Sequence, residues 1–101
     1  MTKKYQTFSD FYPFYLSQHA DQTCRRLHFI GSSLIVALVL YAFQSSNWSL
    51  LWYIPLLGYG FAWIGHFIFE KNKPATFTYP VYSLMGDWVM YKDILIGKIK
   101  F

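Results

Sequence analysis

LHFIGSSLIVALVLYAFQSSNWSLLWYIPLLGYGFAWIGHFIF, residues 27–69, is a run of 43 residues without one Asp, Glu, Lys or Arg. Arg26 bounds it on one side and Glu70 on the other. The run is too long for one membrane crossing, which takes about 20 residues, and right for two joined by a turn. Gln44, Ser45, Ser46 and Asn47 form the polar cluster inside it, and such a cluster marks a turn. The reading is a helical hairpin, with span one at about Leu27–Phe43 and span two at about Trp48–Phe69. At 1.5 Å per residue, span one covers roughly 26 Å, a little under a hydrocarbon core of about 30 Å. Pro55 falls inside span two, where lipid tolerates a kink. Trp48, Trp52 and Tyr53 gather at the turn end, as an aromatic belt does.

The charges lie outside this run. Arg25, Arg26, Lys71 and Lys73 flank the open ends of the hairpin, Lys3 and Lys4 precede it, and Lys92, Lys98 and Lys100 follow it. The turn has none. The positive-inside rule then places both termini in the cytoplasm, at a bacterial inner membrane or the endoplasmic reticulum. The net charge of +4 suits an anionic membrane surface. No Lys/Arg stripe points to nucleic acid. With 54% hydrophobic and 14% charged residues in a chain of 101, disorder is excluded. A conventional soluble monomer is also disfavoured, because a chain this short buries only about 60–65% of its surface. The competing reading is the buried helical hairpin of a soluble protein. Cys24 stands alone, which excludes an intrachain disulfide and a cysteine zinc cluster. The basic stretch Met1 to Lys4 is followed by aromatic and polar residues, so a signal peptide is not expected.

Two outer segments carry a helical period. Phe8, Phe11, Tyr12, Tyr15 and Leu16 make one amphipathic stripe, with Ser9 or Asp10 as its expected cap. Val81, Leu84, Trp88, Tyr91 and Leu95 make another, with Ser83, Asp87 and Lys92 off it. The expected fold is an all-α membrane protein of one domain, residues 1–101. A two-span transmembrane hairpin (24–43 and 48–70) is flanked by two amphipathic helices lying in the interface (8–20 and 76–97). Lys71-Asn72-Lys73-Pro74 reads as a break before the last helix. Two spans make a thin scaffold, so a homo-oligomer is expected.

The hairpin gives the histidines their meaning. In an antiparallel pair, residues whose numbers sum to a constant lie at one depth. His28 and His66 sum to 94, twice the number of the turn residue Asn47. Both fall just inside the charged end. Gly58, Ala62, His66 and Glu70 share one face at a spacing of four, and small residues there let the partner helix come close. Gly31 and Ser32 offer the same relief beside His28. His19 extends the stripe of the first helix, and a turn over Ala20 to Thr23, with Asp21 or Thr23 capping span one, can bring it back over His28.

Imidazoles suit Fe, Zn and Cu. His19, His28 and His66, with Glu70 at i+4, therefore form a candidate donor set for a divalent metal with positions left open. The bland reading is that each histidine only hydrogen-bonds at the interface. Arg25 and Arg26 could fork a carboxylate head group or could simply anchor the topology. Asp87 reads first as part of a solvated polar face and second as a group able to reach the histidines. Cys24 has no partner base and reads as inert.

Phe14-Tyr15-Leu16-Ser17-Gln18-His19 followed by Arg26-Leu27-His28-Phe29-Ile30-Gly31 resembles the first block of a small membrane-protein family. Trp63-Ile64-Gly65-His66 through Glu70-Lys71-Asn72-Lys73-Pro74-Ala75-Thr76-Phe77 resembles its second, and Tyr79-Pro80-Val81-Tyr82-Ser83-Leu84 its close. The family is that of the 2-hydroxy fatty acid dioxygenases of the type named for metabolism of phytosphingosine to odd-numbered fatty acids. The resemblance covers roughly residues 8–97. It implies Fe(II)-dependent α-oxidation, in which a 2-hydroxy fatty acid and dioxygen give the fatty acid one carbon shorter. It also implies that His19, His28 and His66 are the motif histidines and Glu70 the motif glutamate. Characterised eukaryotic members carry further hydrophobic segments between the blocks, where here one tight hairpin joins them. Two other readings stay open: a bis-histidine haem held by His28 and His66, and a non-enzymatic membrane scaffold or lipid-binding protein.

Overall fold

The computed structural model describes residues 4–101; Lys3, counted above among the flanking charges, lies outside the described residues with Met1 and Thr2. Four α-helices follow one another: α1 (Phe8–Ser17), α2 (Gln22–Ser45), α3 (Ile54–Ile64) and α4 (Pro80–Leu95). No strand occurs among the described residues. A 3₁₀ segment (Trp48–Tyr53) leads into α3 and a π-helical segment (Gly65–Glu70) continues it, so residues 48–70 form one rod antiparallel to α2.

The hairpin begins where Asp21 caps α2, its carboxylate accepting from the Cys24 amide at 3.0 Å. It ends where Ser46 turns left-handed (φ 55°) and closes the last turn onto the Ala42 and Phe43 carbonyls. Pro55 produces no kink within a helix. It sits in the first turn of α3, where the amide it lacks has no intrahelical partner to lose. Both rods are long and apolar enough to cross a membrane. They approach closest at glycines. A Cβ on Gly31 would lie 3.0 Å from the Leu57 carbonyl oxygen, and one on Gly65 would lie 3.0 Å from Cys24 Sγ.

The first helix is capped by Thr7, whose hydroxyl accepts from the Asp10 amide at 3.1 Å, and not by Ser9 or Asp10. Its stripe packs on α4: Phe11, Tyr15, Tyr79, Met90 and Ile94 form the aromatic-rich core. Two tyrosine hydroxyls fasten the pair, Tyr12 donating to Asp93 at 2.8 Å and Tyr15 donating to Asp87. Gly86 makes the approach possible, since a Cβ there would lie 2.9 Å from the Tyr15 ring.

The last helix turns its apolar stripe outward and its small and polar side toward the protein interior. Val81, Leu84, Trp88 and Leu95 of the expected stripe are exposed, and Ser83, Gly86, Met90, Asp93 and Ile94 are buried. The hairpin shows the same arrangement, with the small-residue faces meeting as expected. Its buried positions are Cys24, His28, Gly31, Ala42, Gly65 and His66, whereas Leu40, Trp52 and Leu56 are outside. Small and polar groups face inward, and large apolar groups face outward.

Candidate metal centre

Three elements deliver one histidine each. His19 leaves the end of α1 in a tight turn, its amide donating to the Leu16 carbonyl at 3.0 Å. Arg25, one turn into α2, fixes that turn by donating to the His19 carbonyl at 3.0 Å and the Ala20 carbonyl at 2.7 Å. His28 lies one turn further along α2, opposite His66 in the π segment. The three rings stand mutually edge to face, with centroids 4.4, 4.5 and 5.0 Å apart. All three are buried, at 1, 8 and 2% exposure for His19, His28 and His66. One ring nitrogen from each lies within 4.8 Å of the other two.

The outer nitrogens explain what the inner ones can do. His19 Nδ1 faces the Tyr15 carbonyl at 2.7 Å, and His28 Nδ1 faces the Cys24 carbonyl at 2.9 Å. His66 Nδ1 faces Asn72 Oδ1 at 2.7 Å. The Asn72 amide is oriented by its own NH₂, which donates to the Gln18 carbonyl at 3.2 Å and to Gln18 Oε1 at 3.1 Å. A carbonyl oxygen only accepts, so each Nδ1 carries the proton and each Nε2 presents a lone pair. His19 and His28 Nε2 stand 3.2 Å apart with no donor between them. Two acceptors so placed repel unless a cation joins them. Two nitrogens each about 2.1 Å from one ion, at an angle of about 100°, are separated by that distance. The residues therefore fit a metal. Oxygen acceptors behind ligand imidazoles are also the usual outer support of metal sites. Burial, and then the charges of His28 and His66, hold His19 well below the ordinary histidine range, in the neutral form that ligation requires.

The other expected site residues are placed differently. Glu70 stands outside the histidine group. Its Oε2 accepts from the Asp21 amide at 2.7 Å, at the positive end of α2. That bond ties the carboxylate to the start of α2, where the second rod ends in its π segment. Lys71 then turns left-handed (φ 59°) and sends the chain to Asn72. Arg25 is committed to the carbonyls named above and to that of Lys100 at 3.2 Å. Arg26 lies over the Phe101 ring, 5.0 Å from its centroid. Neither arginine lines the cavity beside the histidines.

That cavity, of about 250 Å³, starts at the three imidazoles and runs along the hairpin to Ile54 and Pro55. Its wall is mainly apolar, with Ser83 and Asp87 of α4 facing the histidine end. Asp87 thus lines the cavity and is half-buried there, not on a solvated face. Burial raises its carboxyl to about 6, against the opposing hydrogen bond from Tyr15. The Tyr15 ring stacks on His19 with centroids 4.1 Å apart, so one residue touches both a histidine and Asp87. A porphyrin between His28 and His66 would need the space that His19 fills. Asn72 and Ser83 were not legible as site residues in the sequence.

A family model described as Mpo1-like (2-hydroxy-palmitic acid dioxygenase Mpo1-like) matches residues 5–99. No curated protein and no solved structure matches the chain.

Proposed function

The chain belongs to the Mpo1-like family, and from that premise we propose that it is a membrane-embedded, iron-dependent dioxygenase of 2-hydroxy fatty acids. The reaction is α-oxidation. A 2-hydroxy fatty acid and dioxygen give the fatty acid one carbon shorter, carbon dioxide and water. The observation that carries the proposal is the convergence of three buried imidazoles at the head of an apolar cavity, each with its Nδ1 held by an oxygen acceptor. His19, His28 and His66 would hold the ion. When bound, iron supplies the dioxygen chemistry and a Lewis-acid contact for the substrate head group.

The chain's own residues do the rest. The carbonyls of Tyr15 and Cys24 and the Asn72 amide keep the three Nε2 lone pairs turned inward. The wall formed by Ile35, Ile54, Pro55 and Gly58 suits an acyl tail. From His66 to Ile54 is 12 residues, roughly 18 Å of helix. Burial of the histidines keeps bulk water from the reacting end.

Membrane placement is supported by the outward apolar surface. Only 17% of the apolar window of α2 is buried, and 11% of that in the second rod, whereas the core helix of a soluble protein would be mostly covered. The flanking cations Arg25, Arg26, Lys71 and Lys73 gather at the histidine end, and the turn end has none. With the cations cytoplasmic, the head group of a fatty acid would meet the histidines near the surface and its tail would lie along the spans.

The test is direct. Purified protein loaded with Fe(II) and given 2-hydroxyhexadecanoate under oxygen is expected to yield pentadecanoate by mass spectrometry, and none without oxygen. Absence of that product from metal-loaded, folded protein overturns the assignment.

A further inference from the structure

Ser83 presents a polar group with nothing to bind. Its side chain is 2% exposed, its Oγ has no hydrogen-bond partner, and it lines the cavity beside the histidines. A serine inside a helix commonly turns its hydroxyl back to the carbonyl four residues earlier. Here the Tyr79 carbonyl receives the Ser83 amide at 2.8 Å, and the hydroxyl stays unpaired. A buried hydroxyl left this way is costly, and a ligand that completes it removes the cost.

Asp87 is the next residue on that face, one turn along α4, and lines the same cavity. One of its oxygens takes the Tyr15 hydroxyl. A carboxylate accepts several hydrogen bonds, so acceptor capacity remains. Its place relative to the histidines is fixed through Tyr15, which stacks on His19. No lysine or arginine lines the cavity. This wall therefore repels a second carboxylate and attracts an O–H.

The geometry points to Ser83 and Asp87 as the subsite that reads the hydroxyl of a 2-hydroxy acid, the substrate O–H donating to Asp87 and the Ser83 hydroxyl donating to the substrate oxygen. The inference rests on the function proposed above and adds to it the residues that separate hydroxylated acids from plain ones. A plain fatty acid in the same pose leaves the Ser83 hydroxyl unpaired and the remaining acceptor capacity of Asp87 unused. Such a loss gives a large discrimination, because the penalty falls on buried polar groups of the protein. The substrate carboxylate is left to the histidine side of the cavity.

Trp63 and Trp88 line the cavity and report occupancy by fluorescence. The purified protein, loaded with Fe(II), is titrated anaerobically, so that no turnover occurs, with 2-hydroxyhexadecanoate and with hexadecanoate. Wild type is expected to bind the hydroxy acid at least about 10-fold more tightly. Asp87→Ala is expected to cut that ratio by about 10-fold and Ser83→Ala by about 3-fold. Any preference contributed by the metal is common to all variants and cancels in the comparison. Asp87→Ala also frees Tyr15 and can cost folding. Ser83→Ala removes only an unpaired hydroxyl, so its Tm is expected to equal or exceed wild type while its ratio falls. A ratio unchanged in Ser83→Ala and in folded Asp87→Ala overturns the subsite alone. Failure of wild type to bind either acid overturns the proposed function and the subsite with it.

Discussion

Asn72→Leu tests how the centre is held. Asn72 Oδ1 accepts from His66 Nδ1 at 2.7 Å, and its NH₂ bonds Gln18, the residue before His19. One side chain thus ties together the segments that bring two of the three imidazoles. Leucine keeps the volume and removes all of these bonds. The buried Nδ1–H of His66 is then unpaired, and the ring can recover by moving its proton to Nε2 or by rotating. Either response takes a lone pair away from the centre. Loss of such an outer partner typically lowers metal affinity 10–100-fold, or about 1.4–2.8 kcal/mol. Asn72→Asp keeps an acceptor for Nδ1 and is expected to stay within about 5-fold of wild type, an estimate set below that range because the acceptor remains. The assay is competition for Fe(II) or Co(II) against a chromophoric chelator, with circular dichroism to establish folding. Folded Asn72→Leu protein that binds metal as tightly as wild type would refute the reasoning.

Arg26→Ala is expected to leave the KM for 2-hydroxyhexadecanoate unchanged, because the guanidinium lies over Phe101 and away from the cavity; a several-fold rise in KM would return it to the substrate. Gly58→Leu puts a side chain into the cavity wall beside Ile35, and assays across chain lengths should show longer acids losing turnover before shorter ones. Acid is expected to destabilise the metal-free protein. His19 is held neutral well below its ordinary value of 6.5, so below that value the unfolded chain binds a proton the folded chain does not. Each pH unit below it costs about 1.4 kcal/mol for this residue. Thermal unfolding at pH 7.5, 6.5 and 5.5 should show stability held to 6.5 and falling beneath it, with a shallower fall in His19→Gln.

What could be read from the sequence followed from spacing and depth. The uncharged run and its polar turn gave two antiparallel rods, and the sum of 94 put His28 and His66 level, where their rings now stand 5.0 Å apart. The stripe of α1 and the cap at Asp21 were likewise local patterns. What was missed depends on which way a face points. An apolar stripe has the same period whether it meets a core or a lipid tail, so α4 was legible as a helix while its orientation was not. Ser83 and Asp87 therefore looked like a polar exterior and line the cavity instead. Spacing put Glu70 on the His66 face but could not show that its carboxylate is engaged by the Asp21 amide, 49 positions away in sequence. Asn72 sat in a stretch legible only as a break, and its role needs a partner, Gln18, 54 positions away in sequence.

Metal content of the detergent-purified protein, measured for wild type beside His28→Ala and His66→Ala, reaches the central claim most directly. The account predicts about one iron per chain in wild type, a stoichiometry set by one three-imidazole donor set, with loss in both variants. No stoichiometric metal in folded wild type, even after anaerobic loading with Fe(II), would contradict it.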